Sequence, residues 1–196
     1  MNADRSIPKA NTGSWLLNHI ARPVVGGMKA EGTPYRGILY CGLMMTARGP
    51  MVLEFNCRFG DPETQAVLMR LDSDLLEAFE AAIEGRVSDG VFRWSADASC
   101  CVVVASGGYP GAFVSGKLIS GLESALQMKN VKVFHAGTSK RDGKYYTSGG
   151  RVLGVTARAP RLQDAIAGAY QVVEQIRFED MYYRKDIGAR ALKPQS

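Results

Sequence analysis

With 196 residues, 46% of them hydrophobic and 22% charged, the chain suits one ordinary domain or two small ones around a real core. Its apolar stretches are far too short for a membrane span, and residues 1–11 lack the apolar run of a secretory signal, so a cytoplasmic protein is expected. A net charge of +5 favours anionic partners, but Lys and Arg are scattered without a like-charge run, which fits phosphorylated metabolites better than nucleic acid.

In residues 15–28, Leu16, Leu17, Ile20, Val24 and Val25 recur at helical spacing, with Pro23 interrupting and Asn11 or Ser14 available as cap. Gly32-Thr33-Pro34 stops this helix. Residues 36–46 and 51–58 read as strands joined by a turn at 47–50, a β-hairpin. Gly60-Asp61-Pro62 breaks the second strand. Helical periodicity follows in 63–70 and 75–83, the latter capped by Asp72 or Ser73 and ended by Gly85. The polar, glycine-bearing stretch 85–98 is the expected domain boundary.

Beyond it, 100–105, 132–136 and 152–157 are strand-like, with glycine-rich joints at Gly107-Gly108-Tyr109-Pro110-Gly111 and Ser148-Gly149-Gly150. Residues 162–176 close the pattern as an amphipathic helix whose buried stripe is Ala165, Ala169, Val172 and Val173. The expected class is α+β in two parts, 15–98 and 99–196, after an irregular or foreign segment 1–14. Cys41, Cys57, Cys100 and Cys101 lack zinc or redox spacing and are expected as buried, reduced thiols. Cys100 and Cys101 should face opposite sides of a strand.

One segment carries chemistry. If 53–58 is a strand, Leu53, Phe55 and Cys57 point to one side and pack on a core, while Glu54, Asn56 and Arg58 share the other. A carboxylate and an amide offer hard oxygens of the kind magnesium takes, and a guanidinium two residues on suits a phosphate. The same alternation is also what the wet face of a sheet looks like, and spacing does not choose between the two.

V-L-E-F-N-C-R-F-G-D-P-E, at 52–63, resembles the metal-binding strand of the ATP-grasp ligases. Together with G-T-P-Y-R-G-I-L-Y (32–40), G-Y-P-G (108–111), F-H-A-G-T (134–138), G-G-R-V-L (149–153) and Y-R-K-D-I-G (183–188), it makes residues 20–192 similar to the phosphoribosylamine–glycine ligases in particular. The resemblance implies the end of an ATP-grasp core (helix, β-hairpin, helices) followed by a small β-rich C-terminal domain with a terminal helix. It implies a reaction in which ATP phosphorylates glycine and 5-phosphoribosylamine displaces the phosphate, an early step of purine synthesis.

On the matching residues, Glu54 and Asn56 would hold Mg2+ or Mn2+ bridging the ATP phosphates, and Arg58 would steady the transferring phosphoryl group. Asp61, Pro62 and Glu63 would lie near the substrates. Gly149, Gly150 and Arg151 would approach the ribose phosphate, a tight β-turn with a surface Arg being the other reading. His135 is expected to be structural, His19 has no role, and Tyr183, Arg184 and Asp186 should pack the tail back onto its domain.

The family's amino-terminal substrate domain, central region and lid have no counterpart in the sequence. The expectation is a chain that binds Mg-ATP weakly, does not turn over alone, and has a separate amino-terminal ligase part as partner. The alternative is a non-catalytic module that binds a phosphometabolite or a partner protein. Such a module has no need of Glu54, Asn56 and Arg58 together.

Overall fold

The computed structural model describes residues 12–46, 49–125 and 128–192. The chain forms two compact units, one of Met1–Gly60 with Asp74–Val91 and one of Asp61–Ser73 with Phe92–Ser196. Residues 61–73 thus fold with the second unit, so the division is not a single cut within 85–98.

The first unit begins with α1 (Thr12–Leu16), a π turn (Leu17–Ala21) and α2 (Arg22–Ala30). Pro23 does not break this run. It has no N–H to give to the carbonyl four residues back, and the helix widens just before it, with Arg22 N–H reaching five residues back to the Leu17 carbonyl. Ser14 lies inside α1 and is not its cap, while Asn11 lies outside the described residues. Gly32, at φ 78°, closes α2: its N–H bonds the Lys29 carbonyl and that of Thr33 the Met28 carbonyl, a Schellman ending.

The hairpin pairs β1 (Tyr40–Thr46) with β2 (Gly49–Asn56). β1 is shorter than the sequence suggests, while β2 has the expected length but begins and ends two residues earlier. Residues 35–39 are tied up otherwise: Tyr35 Oη donates to the Ile38 carbonyl at 2.5 Å and Arg36 Nη1 to that of Ile83 at 2.5 Å. At the far end β2 stops at Asn56. The ladder slips between Gly42 and Leu43, so Glu54 pairs with Gly42, Val52 with Leu43, and Leu53 is the extra residue of a bulge. Leu53 and Phe55 do not pack on a core as expected; they are 65% and 40% exposed, for the sheet has only two strands and no layer covers it among the described residues.

The hairpin leads through α3 (Glu63–Leu68), which belongs to the second unit, to α4 (Leu75–Glu84). The cap of α4 is Asp74, not Asp72 or Ser73. Its carboxylate accepts from the N–H of Leu76 at 2.7 Å and of Glu77 at 3.4 Å. Gly85, left-handed at φ 71°, ends the helix. Among the described residues of this unit only Ile20, Ala78 and Ala81 are buried apolar side chains.

The second unit holds the core. Its main sheet is built from β3 (Ala98–Ser106), β5 (Val131–His135), β8 (Arg151–Ala159) and β9 (Met181–Tyr183), in the antiparallel order β5-β8-β3-β9. Helix α6 (Leu162–Val173) packs on β3 and β8, burying Ala165, Ala169, Val172 and Val173, the four positions its periodicity assigned. They meet Val102, Val104, Val155 and Ala157 in one cluster. Helix α3 lies against the side to which Cys101 and Gly154 turn, with Ser99 Oγ donating to the Ala66 carbonyl at 2.6 Å. Cys100 joins the core, so the two adjacent thiols do face opposite ways.

A second sheet, β4-β7-β6, uses strands of two to four residues: β4 (Leu118–Ile119), β6 (Thr138–Arg141) and β7 (Lys144–Thr147). Short helices α5 (Leu122–Ala125) and α7 (Ala189–Leu192) complete the described chain. No described helix is long and apolar enough to cross a membrane. The thiols are not uniformly buried: all four are free, but Cys57, just past β2, is exposed and Cys41, on β1, is half-buried.

Candidate functional site

Strand β2 brings Glu54 and Asn56 onto one face, as the two-residue spacing demands. Asn56 Nδ2 donates to Glu54 Oε1 at 3.0 Å. The amide nitrogen is thereby turned to the carboxylate, which leaves the amide oxygen and the second carboxylate oxygen for another partner. Glu54 is exposed and Asn56 half-buried. These are hard oxygen donors without imidazole or thiolate, the chemistry of a magnesium-type cation. Among the described residues no three His, Cys, Asp or Glu form a cage, so a cation held here would draw its other ligands from phosphate and water.

Arg58 follows Asn56 by two residues. It lies past the end of β2, in a bend, and its Nη1 donates to the neighbouring Phe59 carbonyl at 3.0 Å. The ladder with β1 stops two residues earlier, at Asn56. Its guanidinium is exposed and has donors to spare.

The second unit gathers the other candidates. Asp61 is joined to Pro62 by a cis peptide, and Glu63 is the first residue of α3. Arg151, at the start of β8, donates from Nη1 to the Asp61 carbonyl at 2.8 Å and lies 3.3 Å from its carboxylate through Nη2. Gln65 Nε2 donates to the other carboxylate oxygen of Asp61 at 3.0 Å. Asp61 and Arg151 are thus brought together, each as the other's partner, while Glu63 is exposed.

Gly149 and Gly150 form a tight turn, and the close approach they permit is taken up within the unit. A Cβ on Gly150 would lie 2.1 Å from the Tyr109 ring, and one on Gly137 would lie 2.6 Å from Gly149 Cα. Ser106 holds the turn, its N–H on the Gly150 carbonyl at 2.8 Å and its Oγ on that of Gly149 at 3.0 Å. Beside it opens a cavity of about 260 Å3, walled by Pro62, Cys101, Val103 and Tyr109, with Arg151 and Arg184 at its edges. Sequence reasoning gave no role to Ser106 or Tyr109. The only signal was the G-Y-P-G string, which names a turn but not what it leans on.

His135 behaves structurally: its Nδ1 is 3.0 Å from Thr138 Oγ1 and its ring lies against Tyr145, centroids 4.5 Å apart. Partial burial lowers its pKa below the ordinary histidine value. His19 bonds the Trp15 carbonyl at 2.9 Å one helical turn back. Arg184 forms a two-point ion pair with Asp186, and Tyr170 Oη both donates to the Arg184 carbonyl at 2.7 Å and accepts from Ile187 N–H at 3.1 Å, closing the tail over α6.

Comparison with known proteins identifies the family. The sequence profile of the phosphoribosylglycinamide synthetase ATP-grasp (A) domain matches residues 6–64, and that of the same synthetase's C domain matches residues 99–190. Phosphoribosylamine–glycine ligase of Caldanaerobacter subterraneus is 51% identical over 170 residues, covering 87% of this chain and 40% of the relative. That of Synechocystis is 51% identical over 179 residues, covering 90% and 42%. The crystal structure of the Thermotoga maritima phosphoribosylamine–glycine ligase superposes with a TM-score of 0.79 at 32% identity, over 93% of this chain and 44% of that one. N5-carboxyaminoimidazole ribonucleotide synthetase of the same organism shares the fold alone, with a TM-score of 0.60 at 18% identity. The chain spans about two fifths of the length of the curated relatives it matches. From Glu54 and Asn56 on the ATP-grasp hairpin to the β-rich unit around α6, the chain belongs to the phosphoribosylamine–glycine ligase family, of which it carries the C-terminal part.

Proposed function

We propose that this chain is the metal-ligating, carboxy-terminal share of a ligase that joins glycine to 5-phosphoribosylamine with ATP, giving glycinamide ribonucleotide. The observation that carries the reading is the side-by-side placement of Glu54 and Asn56 on β2, in a chain about half identical to ligases of that name. In sequence, residues 15–98 would correspond to the end of the ATP-grasp core and 99–196 to the C domain, with 61–73 folding into the second unit. Glu54 and Asn56 would hold Mg2+ or Mn2+, which when bound neutralises charge on the ATP phosphates. Arg58, exposed beyond the strand, offers its fork to the phosphoryl group being transferred to glycine. Glu63, the exposed first residue of α3, would face the substrates, with Pro62 and the Arg151-held Asp61 beside it. Arg151 and the Gly149-Gly150 turn contribute by holding Asp61 and the wall formed by Tyr109. A cytoplasmic setting, where these metabolites occur, completes the reading.

With the ATP-grasp domain matched only over 6–64, the chain alone should bind Mg-ATP weakly and not turn over. The test is ADP release from ATP with glycine, 5-phosphoribosylamine and magnesium, for the chain alone and with the amino-terminal part of a relative's ligase added. Activity only with both parts, lost in Glu54→Ala, is expected. No turnover from the pair, with both parts shown to be folded, would overturn it and favour the non-catalytic binding module.

A further inference from the structure

We infer that Gly42 is a positioning residue for the Glu54–Asn56 pair: its missing side chain is the space in which the Glu54 stem lies. The inference rests on the reading that this pair holds a divalent cation. Gly42 stands in the middle of β1, where glycine weakens a strand and offers nothing to pack. Its backbone does not require glycine either, since its φ is not in the left-handed region. What the residue provides is the absence of a Cβ. A Cβ built on Gly42 would lie 2.9 Å from Glu54 Cγ, 3.5 Å from the Glu54 carbonyl oxygen and 3.7 Å from Glu54 Oε1.

Directly opposed side chains in an antiparallel pair normally keep their Cβ atoms about 4.5–5.5 Å apart and stand off the sheet. Here the Glu54 stem instead lies down across its partner strand. The bulge at Leu53 and the register Gly42↔Glu54 put the two residues opposite each other. In that pose Glu54 Oε1 accepts from Asn56 Nδ2 at 3.0 Å, which fixes the carboxylate beside the amide. Any side chain at 42 lifts the stem and opens the pair, because the atom that must give way is the methylene carrying the carboxylate. Hard-cation sites tolerate such displacement poorly when only two protein oxygens are present.

The experiment is Mn2+ binding to the full chain, read by loss of the free Mn2+ electron paramagnetic resonance signal, for wild type, Gly42→Ala, Gly42→Ser and Glu54→Ala. The melting temperature is followed in parallel. Gly42→Ala should weaken Mn2+ binding by about fivefold or more with no loss of melting temperature, since Ala is the better strand residue. Gly42→Ser should weaken it at least as much. Unchanged Mn2+ affinity in both Gly42 variants, with binding lost in Glu54→Ala, overturns the role of Gly42 and leaves the metal reading standing. Unchanged affinity in Glu54→Ala overturns both. Weaker binding accompanied by a lower melting temperature in Gly42→Ala assigns Gly42 to the fold and likewise overturns the inference.

Discussion

Arg151 reaches across ninety residues of sequence to hold Asp61 at two points, the main-chain carbonyl at 2.8 Å and the carboxylate at 3.3 Å. The ion pair is about half exposed, so most of its Coulomb energy is lost to solvent screening, and the bond to the carbonyl is the larger share. Arg151→Ala should therefore cost about 1–2 kcal/mol in urea unfolding. Arg151→Lys keeps the charge but not the fork, and should recover only part of that loss. A full recovery by Lys would show that charge, not two-point geometry, fixes Asp61.

Two leucines of opposite setting give a second check. Leu153 is 1% exposed in the core of the second unit, and Leu153→Ala should cost about 2–5 kcal/mol. Leu53, in the bulge of β2, is 65% exposed, and Leu53→Ala should stay within about 0.5 kcal/mol. Comparable losses at both sites would mean that Leu53 is covered in solution.

His135 makes stability depend on pH in a defined direction. Burial disfavours its charged form, so its pKa in the folded protein lies below that of the unfolded chain. The unfolded chain then binds more protons in the window just under the ordinary histidine value of about 6.5, and stability falls as pH drops through it. His135→Gln should flatten that part of a melting-temperature profile between pH 5 and 8. An equal slope in the variant would place the titrating group elsewhere.

The cysteines should separate cleanly under alkylation. Burial, with a smaller push from neighbouring Cys101, raises the Cys100 thiol to about 11, so it presents little thiolate and no access. Cys57 is exposed. Iodoacetamide at pH 8 should label Cys57 first and Cys100 only on unfolding, as peptide mass spectrometry would report. Early labelling of Cys100 would mean that β3 opens far more readily than its packing suggests.

The elements legible in the sequence were those whose own periodicity suffices. The stripe Ala165, Ala169, Val172, Val173 named the buried face of α6, and the alternation of 53–56 put Glu54 beside Asn56. The alternation does not show where the ladder ends, and β2 stops at Asn56, two residues short of Arg58. Strands of two to four residues, such as β4, carry too few positions for a period to show. The Arg151–Asp61 contact and the seat of Gly150 on Tyr109 are set by tertiary approach, and no local pattern announces them. Gly42 had a local cue, a glycine inside an apolar strand, but its meaning depends on the register with β2.

The uneven distribution of buried side chains has a kinetic consequence. Amides of Val102 and Val155, hydrogen-bonded in the middle of a packed sheet, can exchange with deuterium only when the second unit unfolds as a whole. Among the described residues nothing comparable packs above or below the β1–β2 ladder, and a two-stranded ribbon is marginal in water. Its amides should exchange by local opening, orders of magnitude sooner, so the strand that bears Glu54 and Asn56 is sampled open while the β-rich unit stays closed. Ligands gripping both oxygens would then register first as slowed exchange along β2.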